Sequence, residues 1–205
     1  MAAQIQSSKL PRISVILPIY NTGACLDELY ARLRQTIELC GHDFEFIMVD
    51  DGSPDGAHIK LEELARMDSR IKAIILSRNF GQHPAISAGL EHATGDVVVL
   101  MDADLQDRPE DIPLFLASLK DGVDIVYSVK QNGAEGFLQR LTSKLYHYVF
   151  SRITRTNVPN NIGTFRLFRG SVRNAMLQYS ERNVLYGPLM FYIGFHSTTI
   201  SHPDR

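Results

Sequence analysis

Apolar positions in this chain come in short, dense runs rich in β-branched residues, separated by stretches in which apolar residues recur three and four positions apart. The runs at 13–19, 44–50, 71–77, 96–101 and 123–128 predict strands buried on both faces. Between them, 25–40, 56–68, 82–93 and 109–120 carry a helical period, each opened or closed by Gly, Pro, Asp or Ser. Strands alternating with helices in this way predict an α/β fold, a mostly parallel central sheet flanked by helices and wound on both sides. After residue 130 the rhythm changes to a Gly-containing loop, a long helical pattern at 137–154, and a mixed segment holding Pro159, Gly163, Gly170 and Gly187. Residues 1–11 read as a disordered lead and 12–205 as one domain, with 12–130 and 131–205 as functional halves rather than separate units.

In an open parallel sheet, ligands gather beyond the carboxyl ends of the strands. The residues at those places are polar four times over. The first strand ends in Pro18-Ile19-Tyr20-Asn21, the second in Asp50-Asp51-Gly52-Ser53, the third in Ser77-Arg78-Asn79-Phe80-Gly81-Gln82 and the fourth in Met101-Asp102-Ala103-Asp104-Leu105-Gln106-Asp107. Tyr20 offers a ring for stacking, and Asp50 or Asp51 offers acceptors to a base N–H or a ribose hydroxyl. The third cluster opens a helix whose free N–H groups favour an anion. Asp102 and Asp104, two apart at the end of a strand, are expected to face one gap and suit Mg²⁺ or Mn²⁺ carrying a diphosphate. Each cluster taken singly is equally a turn, a helix cap or a surface charge. Four at successive strand ends exceed what capping requires. No Gly-x-Gly-x-x-Gly follows a strand, which argues against a nicotinamide dinucleotide site.

With 205 residues, 44% of them hydrophobic and 21% charged, the chain is an ordinary soluble globular one. The net charge of -2 hides an asymmetry. Residues 1–135 carry 12 Lys and Arg against 21 Asp and Glu, and residues 136–205 carry 9 against 2. The acidic part suits a metal site, and the basic part suits an anionic partner or membrane headgroups. No nucleic-acid-binding motif joins the basic residues, so nucleic acid is not expected as a partner. Cys25 and Cys40 form no Cys-x-x-Cys pair and no secretory signal precedes them, which points to a reducing compartment. No apolar run reaches the roughly 20 residues that span a bilayer.

Val15-Ile16-Leu17-Pro18-Ile19-Tyr20-Asn21, Val49-Asp50-Asp51-Gly52-Ser53, Leu76-Ser77-Arg78-Asn79-Phe80-Gly81 and Met101-Asp102-Ala103-Asp104-Leu105-Gln106 resemble, in order and spacing, the family-2 glycosyltransferases of GT-A fold. The nearest subgroup is the polyprenyl-phosphate glycosyltransferases, similar to dolichol-phosphate mannose synthase and the undecaprenyl-phosphate sugar transferases of bacteria. The resemblance implies an inverting, metal-dependent hexosyl transfer from a nucleotide diphosphate-sugar to a polyprenyl phosphate at the cytoplasmic face of the inner membrane. The chain itself would be soluble or peripheral, and the setting cell-envelope glycan synthesis. UDP-sugar is favoured as donor and GDP-sugar is the alternative. A homo-oligomer is left open.

Carried over by position, the resemblance implies that Tyr20 and Asp51 hold the base with Pro18 and Asp50 beside them. Asn21, Arg78 and Asn79 join the nucleotide site. Asp102 lies near ribose and diphosphate, and Asp104 with Gln106 and Asp102 holds Mg²⁺ or Mn²⁺. Arg140, Lys144 and Arg166 are candidate partners of the acceptor phosphate, Arg166 foremost, since guanidinium and ammonium groups pair with phosphate oxygens. The helical pattern from Phe137 to Phe150 sets Arg140, Lys144 and His147 beside an apolar face, as in a helix at a membrane interface or one packed on the sheet. Asn161-Ile162-Gly163-Thr164-Phe165-Arg166-Leu167 resembles a family segment reading Asp-x-Gly-Asp-Phe-Arg-Leu, with Asn161 and Thr164 in place of both acids. Relatives usually continue past the position of His202-Pro203-Asp204-Arg205 into transmembrane helices, so a truncated chain or a soluble variant is expected. Two other readings remain: transfer to a saccharide or protein hydroxyl, which needs a carboxylate base, and a non-catalytic nucleotide-sugar binding module.

Overall fold

The computed structural model describes residues 10–130, 162–179 and 185–202. Seven described strands form one sheet: β1 (Ile13–Ile19), β2 (Phe44–Asp50), β3 (Ile71–Ile75), β4 (Val97–Leu100), β5 (Ile125–Lys130), β6 (Ile162–Arg169) and β7 (Ser197–His202). The helices are α1 (Leu26–Cys40), α2 (Ala57–Met67), α3 (Gln82–His92), α4 (Ile112–Ser118), α5 (Gly170–Met176) and α6 (Tyr186–Tyr192). The strand order is β3-β2-β1-β4-β6-β5-β7. β1 to β4 run parallel, β6 is antiparallel to both β4 and β5, and β7 is parallel to β5.

The apolar runs form strands because helices cover both faces of the sheet. Every residue of β2 and β4 is buried, and so is every residue of β1 except half-buried Pro18. On one face, α1 buries Leu26, Leu29, Leu33 and Ile37, spaced at three and four, against Val15, Phe46 and Phe115 in a core that α2 and α4 complete. α1 opens with Asp27 and Glu28, which complement its positive end, and closes at Gly41, whose φ of +70° an L side chain resists. On the other face, α3 lies close to the sheet because Gly89 has no side chain. A Cβ there would stand 2.4 Å from Ile16 Cγ2. α5 and α6 finish this second core with Val172, Met176, Tyr186 and Met190.

The predicted α/β class and mostly parallel sheet are observed, and β1 and β2 occupy the expected spans. β6 and β7 were not predicted. In β6, Gly163, Phe165 and Leu167 are buried while Thr164 and Arg166 are half-buried, a strand alternation masked in the sequence by its small and charged members. The expected helix at 137–154 lies outside the described residues. None of the described helices is long and apolar enough to cross a membrane.

Near the start of β2, at the opposite end of the strand from its carboxyl terminus, Glu45 is 1% exposed. It accepts from Ser14 Oγ at 2.6 Å, Thr94 N at 2.7 Å and Thr94 Oγ1 at 2.9 Å, and pairs with Lys72 Nζ at 2.8 Å and Arg12 Nη2 at 3.3 Å. Burial pushes its carboxyl up, but the bonds from Lys72, Ser14 and Thr94 outweigh burial and hold it at about 2. A carboxyl lowered by folding stabilises the fold fully above its ordinary value of 4.5 and loses that contribution as pH falls toward 2. We expect Glu45→Ala to cost about 3 kcal/mol in urea unfolding at pH 7, through the buried donors it orphans. The gap from the unsubstituted chain should narrow between pH 4.5 and 2, and a gap constant with pH would contradict this role.

Candidate active site

The strand order reverses at β1, which has β2 on one side and β4 on the other, and a crevice opens above the carboxyl ends there. A cavity of about 270 Å³ occupies it, lined by Pro18, Tyr20 and Thr22 at and after the end of β1, Asp51 after β2, Asn79, Gly81, Gln82 and Ala85 after β3, and Asp102 to Asp104 after β4. All four strand ends singled out in the sequence therefore meet at one pocket.

Asp51 organises it. This carboxylate is only 3% exposed, and its two oxygens accept the backbone N–H groups of Phe80 at 2.7 Å and Gly81 at 2.8 Å. The loop after β3 is thereby tied down on the turn after β2. Gly52 permits the approach: its φ is +67°, and a Cβ would fall 2.5 Å from the backbone carbon of Arg78. Asp50 does not reach the pocket lining. It is buried and accepts Ser53 N–H at 3.0 Å, and Ser53 Oγ in turn accepts Asn21 N–H at 3.1 Å. Asn21 takes φ of +56°, a left-handed conformation that Asn tolerates well, and also stays out of the lining. Beside it Tyr20 is 48% exposed, so a face of its ring is open to a planar ligand.

The acidic segment differs from its predicted geometry. β4 ends at Leu100, so strand alternation does not align Asp102 with Asp104. A tight turn does so instead. Asp104 Oδ1 accepts Gln106 N–H at 3.0 Å, Asp107 Oδ2 accepts Asp102 N–H at 3.0 Å, and Leu105 adopts φ of +65° to pack against the core. Asp104 is exposed at the pocket, and its second oxygen accepts no hydrogen bond among the described residues. Gln82 Nε2 donates to Asp102 Oδ1 at 2.9 Å, linking the start of α3 to the acidic turn. The fit to a divalent cation is good in kind: two hard oxygen donors at an open pocket, with no third acidic or His ligand clustered with them among the described residues. Such a set leaves coordination positions for phosphate oxygens.

Two expected nucleotide or metal residues are not brought in. Arg78 is exposed, with its guanidinium 4.1 Å above the Phe80 ring and donating to Asn79 O, and it does not line the pocket. Gln106 contributes its backbone to the turn, but its exposed side chain lies outside the lining. Asn79 and Pro18 do line it. Arg166 pairs across strands with Leu100 and Tyr127, near the acidic turn, where Asp102 and Asp107 act on its charge. Burial lowers its guanidinium, and Tyr127, Asp102 and Asp107 offset part of that effect. Thr164, standing where the resembled segment has an acid, directs its hydroxyl to Asp107 Oδ2 at 3.4 Å. Arg140, Lys144 and Asn161 lie outside the described residues.

Gln82, Thr22 and Asp107 are site residues that sequence reasoning passed over. Gln82 closes the third strand-end cluster without a role of its own, and Thr22 follows the first. Asp107 closes the fourth cluster without a binding role.

Residues 14–177 match the family described as Glycosyl transferase family 2. The chain belongs to that family. It is 38% identical over 196 residues to the undecaprenyl-phosphate 4-deoxy-4-formamido-L-arabinose transferase of Pseudomonas fluorescens (strain Pf0-1), an alignment covering 94% of this chain and 58% of that protein. In fold it is similar to the mannosyltransferase PcManGT of Pyrobaculum calidifontis, solved in complex with GDP-Man and Mn²⁺, with a TM-score of 0.65 at 19% identity over 93% of this chain and 55% of that one. It is also similar to glucosyl-3-phosphoglycerate synthase of Mycobacterium tuberculosis in complex with Mn²⁺, UDP and phosphoglyceric acid, with a TM-score of 0.59 at 20% identity over 79% and 57%. The chain spans between half and three fifths of the length of these relatives. The family-2 and GT-A expectations are borne out. So is the resemblance to the polyprenyl-phosphate subgroup, through the arabinose transferase.

Because the Gly52 position admits neither a Cβ nor an ordinary φ, Gly52→Ala is expected to lower stability by about 2 kcal/mol and to unseat the Phe80–Gly81 loop. Thermal unfolding and UDP titration would show a lower midpoint together with weakened binding. Unchanged binding would mean the clamp does not shape the pocket.

Proposed function

We propose that this family-2 glycosyltransferase moves a sugar from a nucleotide diphosphate-sugar to a polyprenyl phosphate of undecaprenyl type, with inversion, at the cytoplasmic face of the membrane. The observation that carries the reading is the convergence of the exposed Tyr20 ring, the Asp51-clamped loop and the carboxylates of Asp102 and Asp104 on one pocket. The donor lies there with its base toward Tyr20 and Asp51 and its diphosphate toward Asp102 and Asp104. Support for the donor class comes from fold neighbours solved with GDP-Man or UDP, and support for the acceptor from the relative that is an undecaprenyl-phosphate arabinose transferase.

Asp104 and Asp102 are the residues that would hold Mg²⁺ or Mn²⁺. When bound, such an ion neutralises charge building on the leaving diphosphate. Gln82 fixes the rotamer of Asp102 through its 2.9 Å bond, so this carboxylate meets the donor without reorganising. The acceptor's phosphate oxygen forms the new bond to the anomeric carbon as the bond from that carbon to the diphosphate oxygen breaks, and the nucleoside diphosphate departs. The attacking oxygen is already anionic near neutral pH, so no strong general base is needed. This accords with Thr164, rather than a carboxylate, standing on β6. Arg166 provides a cation for the acceptor phosphate, and Arg140 and Lys144 are further candidates by sequence.

Transfer of labelled sugar from a panel of UDP- and GDP-sugars to undecaprenyl phosphate tests the proposal. We expect Mn²⁺- or Mg²⁺-dependent transfer to the lipid that falls about 100-fold or more in Asp104→Ala. Cation-independent activity that survives Asp104→Ala would contradict the role given to that carboxylate. Turnover of a soluble sugar acceptor with none of the lipid phosphate would favour a hydroxyl acceptor instead.

A further inference from the structure

On the wall of the donor cavity, one side-chain group is left unused by the fold. Thr22, two residues past Tyr20, lines the cavity, and among the described residues its buried Oγ1 has no hydrogen-bond partner. A threonine at this place, just before the 3₁₀ turn Gly23–Cys25, ordinarily spends its hydroxyl on capping the turn. Here no such bond forms. The carbonyl of Thr22 accepts Cys25 N–H at 3.0 Å and Asp55 Oδ2 accepts Gly23 N–H at 2.8 Å, so the turn is served without the hydroxyl.

The backbone that carries Thr22 is pinned on both sides. Ser53 Oγ accepts Asn21 N–H at 3.1 Å before it, and Asp55 accepts Gly23 N–H after it. Both anchors belong to the loop after β2 that also carries Asp51, so Thr22 and Asp51 stand in a set relation along one wall of the cavity. A buried hydroxyl that bonds to nothing keeps its desolvation cost, and such groups are rare unless a bound species completes them. Rotation about χ1 carries a threonine hydroxyl to the place of its methyl group, so a ligand can draw it to the wall without moving the pinned backbone.

The chemistry of the two residues selects the ligand edge. A carboxylate such as Asp51 only accepts, so a base set against it must present an N–H. The Thr22 hydroxyl has no acceptor among the described residues, which leaves it to donate to a carbonyl oxygen next to that N–H. A lactam edge has this order, and both uracil and guanine carry one. Two features favour uracil. Each Asp51 oxygen already accepts one backbone N–H, from Phe80 and Gly81, which leaves less capacity for the two adjacent N–H groups of guanine than for the single one of uracil. The cavity, at about 270 Å³, is also at the small end of ligand pockets and suits the smaller ring.

We infer that Thr22 is a specificity-determining residue of the donor site, its hydroxyl donating to a carbonyl of a uracil base while Asp51 accepts the ring N–H. This role rests on the donor reading above and adds to it the base and the residue that selects it.

Calorimetric titration of UDP and GDP, each with Mn²⁺, into the full chain and its Thr22→Val and Thr22→Ser variants provides the test. Valine keeps the shape of threonine and drops a hydroxyl that bonds to nothing in the free protein, so Thr22→Val should melt no lower than the unsubstituted chain. A clearly lower midpoint would mean that the hydroxyl serves the fold, against this role. We expect the unsubstituted chain to prefer UDP, Thr22→Val to weaken UDP about tenfold and GDP less than about twofold, and Thr22→Ser to keep most of the UDP affinity. The UDP-to-GDP ratio decides, since a wall that merely lost its shape would weaken both nucleotides alike, and that result would overturn base selection by Thr22. UDP bound equally well by the unsubstituted chain and Thr22→Val would overturn the role of Thr22 and leave the donor reading in place. A loss confined to GDP would overturn the choice of uracil. No binding of either nucleotide by the unsubstituted chain would overturn the donor reading itself, and this role with it.

Discussion

The site depends on one buried carboxylate. Asp51 spends both oxygens on the N–H groups of Phe80 and Gly81, and those two bonds hold the loop after β3 against the turn after β2. Further links of the same kind extend outward from it. Asp50 fixes Ser53, and Ser53 fixes Asn21 at the end of β1. Gln82, just past the clamped loop, fixes Asp102 at the end of β4. Four loops that parallel strands leave independent are thus joined by short side-chain bonds into one rim. Charge-assisted bonds to backbone N–H are among the stronger ones available, and their burial keeps water from competing.

This arrangement explains which parts of the site were legible in the sequence. Strands buried on both faces write themselves as apolar runs, so β1 and β2 could be bounded to the residue, and ligand groups follow them directly. β6 was harder: Gly163 packs against Ser128 with no room for a side chain, and Thr164 and Arg166 put polar groups on the other face, so small and charged members hide the strand's alternation. Asp102 and Asp104 were correctly assigned to one pocket for an incorrect reason, since a turn through Leu105 aligns them rather than strand alternation. Asp50, Asn21 and Arg78 share the composition of binding residues, but only coordinates reveal that the first two brace the rim and the third lies on the surface. Gln82 stood in the third cluster without a role, because an amide gains meaning only from what stands beside it in space.

The two ends of the sheet solve opposite problems. Around Glu45, five donors from four residues saturate a buried carboxylate, which leaves it no capacity for a ligand. At the carboxyl ends of the strands, Asp104 is exposed and the Tyr20 ring is open. Polar groups satisfied within the fold support stability, whereas those left wanting mark where a substrate completes the structure.

The central claim is that the rim is built to receive a nucleoside diphosphate together with a divalent cation. Thermal unfolding of the chain with UDP, GDP and related diphosphates, each with and without Mn²⁺, tests it most directly, because a ligand bound only by the folded state raises the midpoint. At ligand about 100-fold above its dissociation constant, UDP with Mn²⁺ should raise the midpoint by about 5–10 °C, and either component alone should raise it far less. A midpoint that no nucleoside diphosphate moves, with or without the cation, would contradict the account.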